Sequence, residues 1–208
     1  MESKRIIINV GRQLGSGGRI IARMLAEDFN CKMYDKEILN LATKESGFSK
    51  EFFEQNDEQK GFVRSLFHLH LPYISDTNFY HNKFSQDSLF QFQSDAIRKA
   101  AEESSCVFVG RCADYVLRDV KEAVSIFITA NLEERIKQVS KRHLCDEETA
   151  EKLINSIENE RSSYYNYYTG KKWGHSTSYD ICVNSSILGI EGTEQLLVDY
   201  IKKRMEKA

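Results

Sequence analysis

The chain has no C-x-x-C pair, and its five cysteines, at 31, 106, 112, 145 and 182, are scattered and odd in number. That spacing argues against a disulfide framework or a zinc site and for reduced thiols in a cytoplasmic compartment. Net charge is also scarce, since 29 basic residues nearly cancel 31 acidic ones to leave −2. No overall field attracts nucleic acid or an anionic membrane, so any anion site must be local. No apolar run approaches the ~18 residues of a membrane span. The N-terminal MESKRIIINV is too short for a signal segment before it meets Gly11. The expectation is a soluble, cytoplasmic protein that engages neither membrane nor nucleic acid. Internal repeats and low-complexity linkers are missing too, and nothing marks a second independent domain. With 41% hydrophobic and 29% charged residues, the 208 residues suffice for one domain with a real core.

What is present centres on Ile6 to Asn30, IIINVGRQLGSGGRIIARMLAEDFN: an apolar strand, a glycine-rich turn and an amphipathic helix. Gly15, Gly17 and Gly18 leave the main chain free to point successive N–H groups into a concavity. A helix opening there adds unsatisfied donors and roughly half a positive charge. The chemistry expected of Gly15, Ser16, Gly17, Gly18 and Arg19 is binding of an oligophosphate or nucleotide. The alternative is a tight strand-to-helix turn with no ligand. Against the pattern G-x-x-x-x-G-K-[ST], the lysine position holds Gly18 and the hydroxyl position holds Arg19.

Further along, Arg5 to Val10 suits a buried parallel strand, and Gly18 to Phe29 the helix after it. Cys31 to Asp35 reads as a second strand with Asp35 at its C-terminal end, where open α/β sheets bind ligands. Residues 36 to about 104 are long for one crossover. Lys36 to Glu45, Lys50 to Gln55 and Gln91 to Glu103 have helical patterns, and His68, His70 and His81 lack the partners of a metal site, so no metal ligand is assigned. Cys106 to Gly110 is a buried strand that delivers Arg111 to the ligand edge, unless that arginine pairs with a structural carboxylate. Val124 to Thr129 is a fourth strand, with Asn131 and Glu134 forming a capping box for the helix Leu132 to His143. A second helix starts near Asp146 and carries Glu158 and Arg161. The tract Tyr164 to His175, YYNYYTGKKWGH, does not look like core. It is either a lid bringing Arg142, Arg161, Lys171 and Lys172 over phosphates, or an exposed connector whose tyrosines pack on the helix. Tyr179 to Asn184 is a fifth strand and Thr193 to Met205 a closing helix, which together make an α/β doubly wound sheet.

These pieces resemble the nucleoside monophosphate kinases and, within them, the cytidylate kinase-like group. The likeness rests on GRQLGSGGR with IARMLAE, on YDKE at 34–37, VGRCADYVL at 109–117, FITANLEERI at 127–136 and the ending YYNYYTGKKWG…YDICVN. It implies a P-loop kinase-type three-layer sandwich on a five-stranded parallel sheet. A helical acceptor-binding region would occupy about 36–104 and a lid about 143–178. The implied reaction moves the γ-phosphoryl of ATP, with Mg²⁺, to a nucleoside monophosphate, CMP or dCMP foremost. Carried over, Gly15 to Arg19 would hold donor phosphates, Arg111 would grip the acceptor phosphate, and Asp35 would lie near the acceptor nucleoside. Arg142 and Arg161 match lid arginines. Cys112 stands where the group usually has Asp, with Asp114 the candidate substitute two residues on. Arg19 is the natural substitute for the lost lysine charge, which makes Arg19, Arg111, Arg142 and Arg161 the catalytic candidates. Two other readings stay open: a nucleotide-binding module without turnover, and a small-molecule kinase with a non-nucleotide acceptor.

Overall fold

The computed structural model describes residues 5–35 and 79–207, with side chains in the second stretch from 87 onward. The helices expected at Lys36–Glu45 and Lys50–Gln55, and the histidines at 68 and 70, lie outside these residues. Within them, five strands form one parallel sheet: β1 (Ile7–Arg12), β2 (Lys32–Tyr34), β3 (Cys106–Val109), β4 (Ala123–Thr129) and β5 (Ile181–Asn184). Their order is β2-β3-β1-β4-β5, so β1 is central. The chain leaves β1 toward one edge of the sheet and leaves β4 toward the other, and such a reversal places the ligand crevice at the strands' carboxyl ends.

Period-two burial along β1 explains the layers on either side. Ile8 and Val10 face α1 (Gly18–Asp28) and the C-terminal α6 (Ser185–Lys207), meeting Ile21, Leu25, Leu197 and Ile201. Ile7 faces the opposite way, toward Leu89 and Ile97 of α2 (Phe79–Glu103) and toward the short α3 (Ala113–Val116). Each such fully buried aliphatic side chain contributes about 1.5–3 kcal/mol of transfer free energy. The result is the expected three-layer α/β sandwich. Among the described residues, no helix is long and apolar enough to cross a membrane.

Two local expectations are corrected. Asn131 does not cap α4 (Leu132–His143) through its side chain, because its Oδ1 accepts a hydrogen bond from Asn184 Nδ2 at 3.0 Å and is drawn toward the end of β5. The cap that does form is on α5 (Glu147–Thr169), where Asp146 Oδ1 accepts the Thr149 N–H at 2.7 Å. The tract from Tyr164 is also more buried than its composition suggests. It starts as the last turns of α5, which stops at Gly170 (φ 66°), and Tyr165 is buried with Cys112, Phe127 and Tyr179. Trp173 meets the Phe127 ring edge-on, with centroids 5.1 Å apart. Gly11 supplies the room for this cluster, since a Cβ there would sit 2.6 Å from the Phe127 ring.

Candidate functional site

The glycine-rich loop between β1 and α1 is held from three sides. Gly15 (φ 82°) and Gly17 (φ 73°) take left-handed conformations that strain any other residue. Ser16 turns inward: its Oγ donates to Gln13 O at 2.9 Å and accepts the Gly18 N–H at 3.4 Å. Its carbonyl accepts from Ser185 Oγ at 2.8 Å, which ties the loop to the start of α6. From the third side, Glu158 Oε1 on α5 accepts the Leu14 N–H at 3.1 Å and pairs with Arg135 Nη1 of α4 at 2.6 Å. Glu158 and Arg135 therefore act as a bracket for the loop rather than as ligands.

Burial pushes Glu158 above the usual carboxylate range, although Arg135 and the Leu14 N–H both pull it down. Removing one partner of such a pair strands the other without compensation. Glu158→Ala is expected to cost about 3 kcal/mol of stability, with Glu158→Gln losing less because the Leu14 bond survives. Thermal melts of the two variants check it.

In front of the loop opens a cleft of about 580 Å³, lined by Gly15, Gly17, Gly18, Arg19, Asp35, Arg142 and Arg161. Six of the residues expected from the sequence thus share one wall system with Asp35, while Ser16 lies behind it. Arg19 Nε is 2.7 Å from Asp35 Oδ2, an ion pair between an exposed guanidinium and a buried carboxylate. Asp35 faces the phosphate loop here. Arg12, Arg23, His143 and Glu160 also line this cleft. Arg23 had only a helix-face position to recommend it, whereas Arg12 stands five residues before Gly17, where the pattern G-x-x-x-x-G-K-[ST] has its first glycine.

A second, narrower pocket lies beside it at the ends of β1 and β3. Arg111, Cys112 and Asp114 line it with Asn9, Tyr164, Tyr165, Trp173 and Tyr179. Its floor is backbone in an uncommon state. Gly110 (φ 73°), Arg111 (φ 61°) and Cys112 (φ 54°) are three successive left-handed residues, two of them not glycine. Each non-glycine residue so held costs of order 1–2 kcal/mol, and strain of this kind collects at functional sites. The Asn9 Oδ1 acceptor is buried in this pocket without a partner among the described residues. Asp114 does reach it from two residues past Cys112, accepting a hydrogen bond from Tyr165 Oη at 2.7 Å. Arg12 and Arg161 line both cavities, and the Arg161 Nη1–H donates to Arg12 O at 3.3 Å. Lys171 and Lys172 are exposed and line neither.

The match to known proteins follows this geometry. Residues 7–187 fit the cytidylate kinase-like family. The chain belongs to that family. It is 24% identical over 205 residues to the cytidylate kinase of Methanocaldococcus jannaschii, covering 95% of this chain and all of that one. An uncharacterised protein from Eubacterium ventriosum is 30% identical with a TM-score of 0.71, over 95% of this chain and 99% of that one. The shikimate kinase of Bacteroides thetaiotaomicron superposes with a TM-score of 0.54 at 10% identity, over 95% and 98% of the two chains. That last likeness is one of fold: this family member has the kinase sandwich, and its family supports a kinase-like function.

Burial pushes the Asp114 carboxyl above its ordinary value of 3.8, against the opposing pull of the Tyr165 hydrogen bond and of Lys171. The folded protein therefore holds that proton more tightly than the unfolded chain. Its contribution to stability is full below about pH 4 and is lost as pH rises through the elevated pKa. Asp114→Asn is expected to remove this decline while keeping an acceptor for Tyr165. Melting temperatures of both proteins from pH 4 to pH 8 test it; parallel curves would refute it.

Among the described residues of the cleft, Mg²⁺ finds no ready set of side chains. The usual hydroxyl position at the start of α1 is Arg19, Ser16 is engaged within the loop, and Asp35 is paired with Arg19. Among the described residues no three His, Cys, Asp or Glu side chains cluster as a metal site.

Proposed function

We propose that the protein transfers the γ-phosphoryl of ATP to a nucleoside monophosphate, with CMP and dCMP the first acceptors to try. The observation that carries this reading is the meeting of two cavities at Arg12 and Arg161, one against the phosphate loop and the other against Arg111. Donor phosphates would lie over Gly15 to Arg19, facing main-chain N–H groups and the positive end of α1. The acceptor phosphate would sit at Arg111. An acceptor oxygen attacks the γ-phosphorus, the bond to the β–γ bridging oxygen breaks, and ADP leaves with that electron pair. Protein chemistry in such a transfer is alignment and charge neutralisation, and permanently charged, bidentate arginines suit both. Arg142 and Arg161 close on the donor from α4 and α5, and Arg19 adds its charge when it exchanges Asp35 for phosphate. Magnesium bound to ATP would be carried chiefly by phosphate oxygens and water, as that ion commonly is.

A panel of monophosphates with ATP and Mg²⁺, scored for diphosphate formation, tests the reading. Product with CMP or dCMP supports it. One observation favours a second reading, a binding module without turnover: Gly18 and Arg19 replace the lysine and hydroxyl, and Arg19 is held by Asp35. Saturable ATP binding with no product from any acceptor, nucleotide or small molecule, would favour that module.

A further inference from the structure

Gly18 poses a question that backbone geometry leaves unanswered. It is not among the left-handed glycines, and it opens α1 at a position open to any residue. What excludes a side chain there is space. A Cβ on Gly18 would lie 2.6 Å from Arg12 Cβ and 3.3 Å from Arg12 Cγ. The obstructing atom is a β-carbon fixed by the central strand, not the end of a side chain that could swing aside. Further out, the same arginine reaches Gly110, where a Cβ would collide with Nη1 and approach Cζ to 3.3 Å. Two glycines, one at the start of α1 and one at the end of β3, accommodate a single arginine.

The sequence register gives this arginine a meaning. In G-x-x-x-x-G-K-[ST], the first glycine precedes the second by five residues, and counting back from Gly17 reaches Arg12. The pattern's cation and one of its glycines have exchanged places: arginine at the first position, glycine at the lysine position. Arg12 is buried, with 8% of its surface exposed, and lines both cavities. Its guanidinium lies over Gly110, beside the residue that would hold the acceptor phosphate.

We infer that Arg12 is the relocated phosphate-loop cation, contacting the terminal phosphoryl group of a bound triphosphate at the boundary of the two cavities. This rests on the phosphotransferase reading for its setting, and replaces Arg19 as the heir of the missing lysine. Arg19 is too solvent-exposed, at 65%, and too close to Asp35 to fill that role alone.

The test is an exchange. Binding of ATP, AMP and inorganic tripolyphosphate is measured by calorimetry for wild type, Arg12→Ala, Arg12→Lys, Gly18→Lys and the double variant Arg12→Gly with Gly18→Lys, each checked for folding by circular dichroism. Arg12→Ala should weaken ATP and tripolyphosphate at least tenfold and AMP less than twofold, with Arg12→Lys intermediate. Gly18→Lys alone should be impaired, because its Cβ has no room beside Arg12. The double variant should recover ATP affinity to within threefold of wild type. Unchanged ATP binding by Arg12→Ala, or a double variant no better than Gly18→Lys, overturns the inference. If Arg12→Ala fails to fold, the comparison of Arg12→Lys with the double variant decides the matter. Arg12-dependent tripolyphosphate binding without product from any acceptor sinks only the phosphotransferase reading. A wild type that binds neither triphosphate sinks both.

Discussion

Replacing Gly15 by valine is expected to abolish measurable nucleotide binding and to lower stability by about 3 kcal/mol. Two costs combine at this position. The backbone is left-handed at φ 82°, which a β-branched residue tolerates poorly. Any Cβ would also come within 2.8 Å of the Arg135 carbonyl oxygen and 3.0 Å of its Cα. Those atoms belong to the backbone of α4, which is anchored to α5 by the Arg135–Glu158 pair, so the loop must move instead. Gly170 supplies the control. It has a similar φ of 66° but nothing among the described residues within 4 Å of its would-be Cβ, so Gly170→Ala carries the conformational cost alone, about 1 kcal/mol. Chemical denaturation gives both free energies, and calorimetry with ATP gives the binding loss. A Gly15→Val protein that binds ATP normally would remove the loop from the site.

The other large effect is expected at Arg161. Its alanine variant should lose 10²- to 10³-fold in kcat, the scale seen when one preorganised charge contact to a transition state is removed. Arg161 lines both cavities, which under the proposed phosphotransfer puts it between donor and acceptor phosphates, where charge would move. Arg161 is half-buried, donates a 3.3 Å bond to Arg12 O and acts electrostatically on Glu158 and Glu160. A drop in kcat with a preserved melting temperature separates chemistry from folding. Arg161→Lys should recover only part of the rate, because a point charge lacks the bidentate fork. Turnover equal to wild type in Arg161→Ala would contradict the assignment.

The sandwich was legible because its elements are local. β-branched runs ending in glycine gave strands within two or three residues of their observed bounds, and Leu132–His143 matches its helix at both ends. The glycine turn between β1 and α1 was legible for the same reason, as glycines needing positive φ are recognisable one residue at a time. Asn131 shows where local reading failed. A capping pattern competes with whatever else the side chain can reach, and Asn184 lies across the sheet, 53 residues later. Tyr165 failed similarly, since a polar-aromatic tract looks solvent-facing until the missing side chain of Gly11 lets Phe127 and Tyr179 close over it.

From the sequence alone came the order of strands and helices, the glycine-rich strand–loop–helix motif, the vacancy at its lysine position and the candidates Arg19, Arg111, Arg142 and Arg161. These depend on backbone preferences and hydrophobic period, which act over a few residues. Only the tertiary structure decided which arginines meet, and it added Arg12, which local pattern had not singled out. Strand order puts β3 and β4 on either side of β1, so residues 12, 110 and 161 converge although they are far apart in the chain. The space above Gly18 is taken by a side chain from the strand before it, and steric exclusion of that kind exists only once the strand and helix have packed.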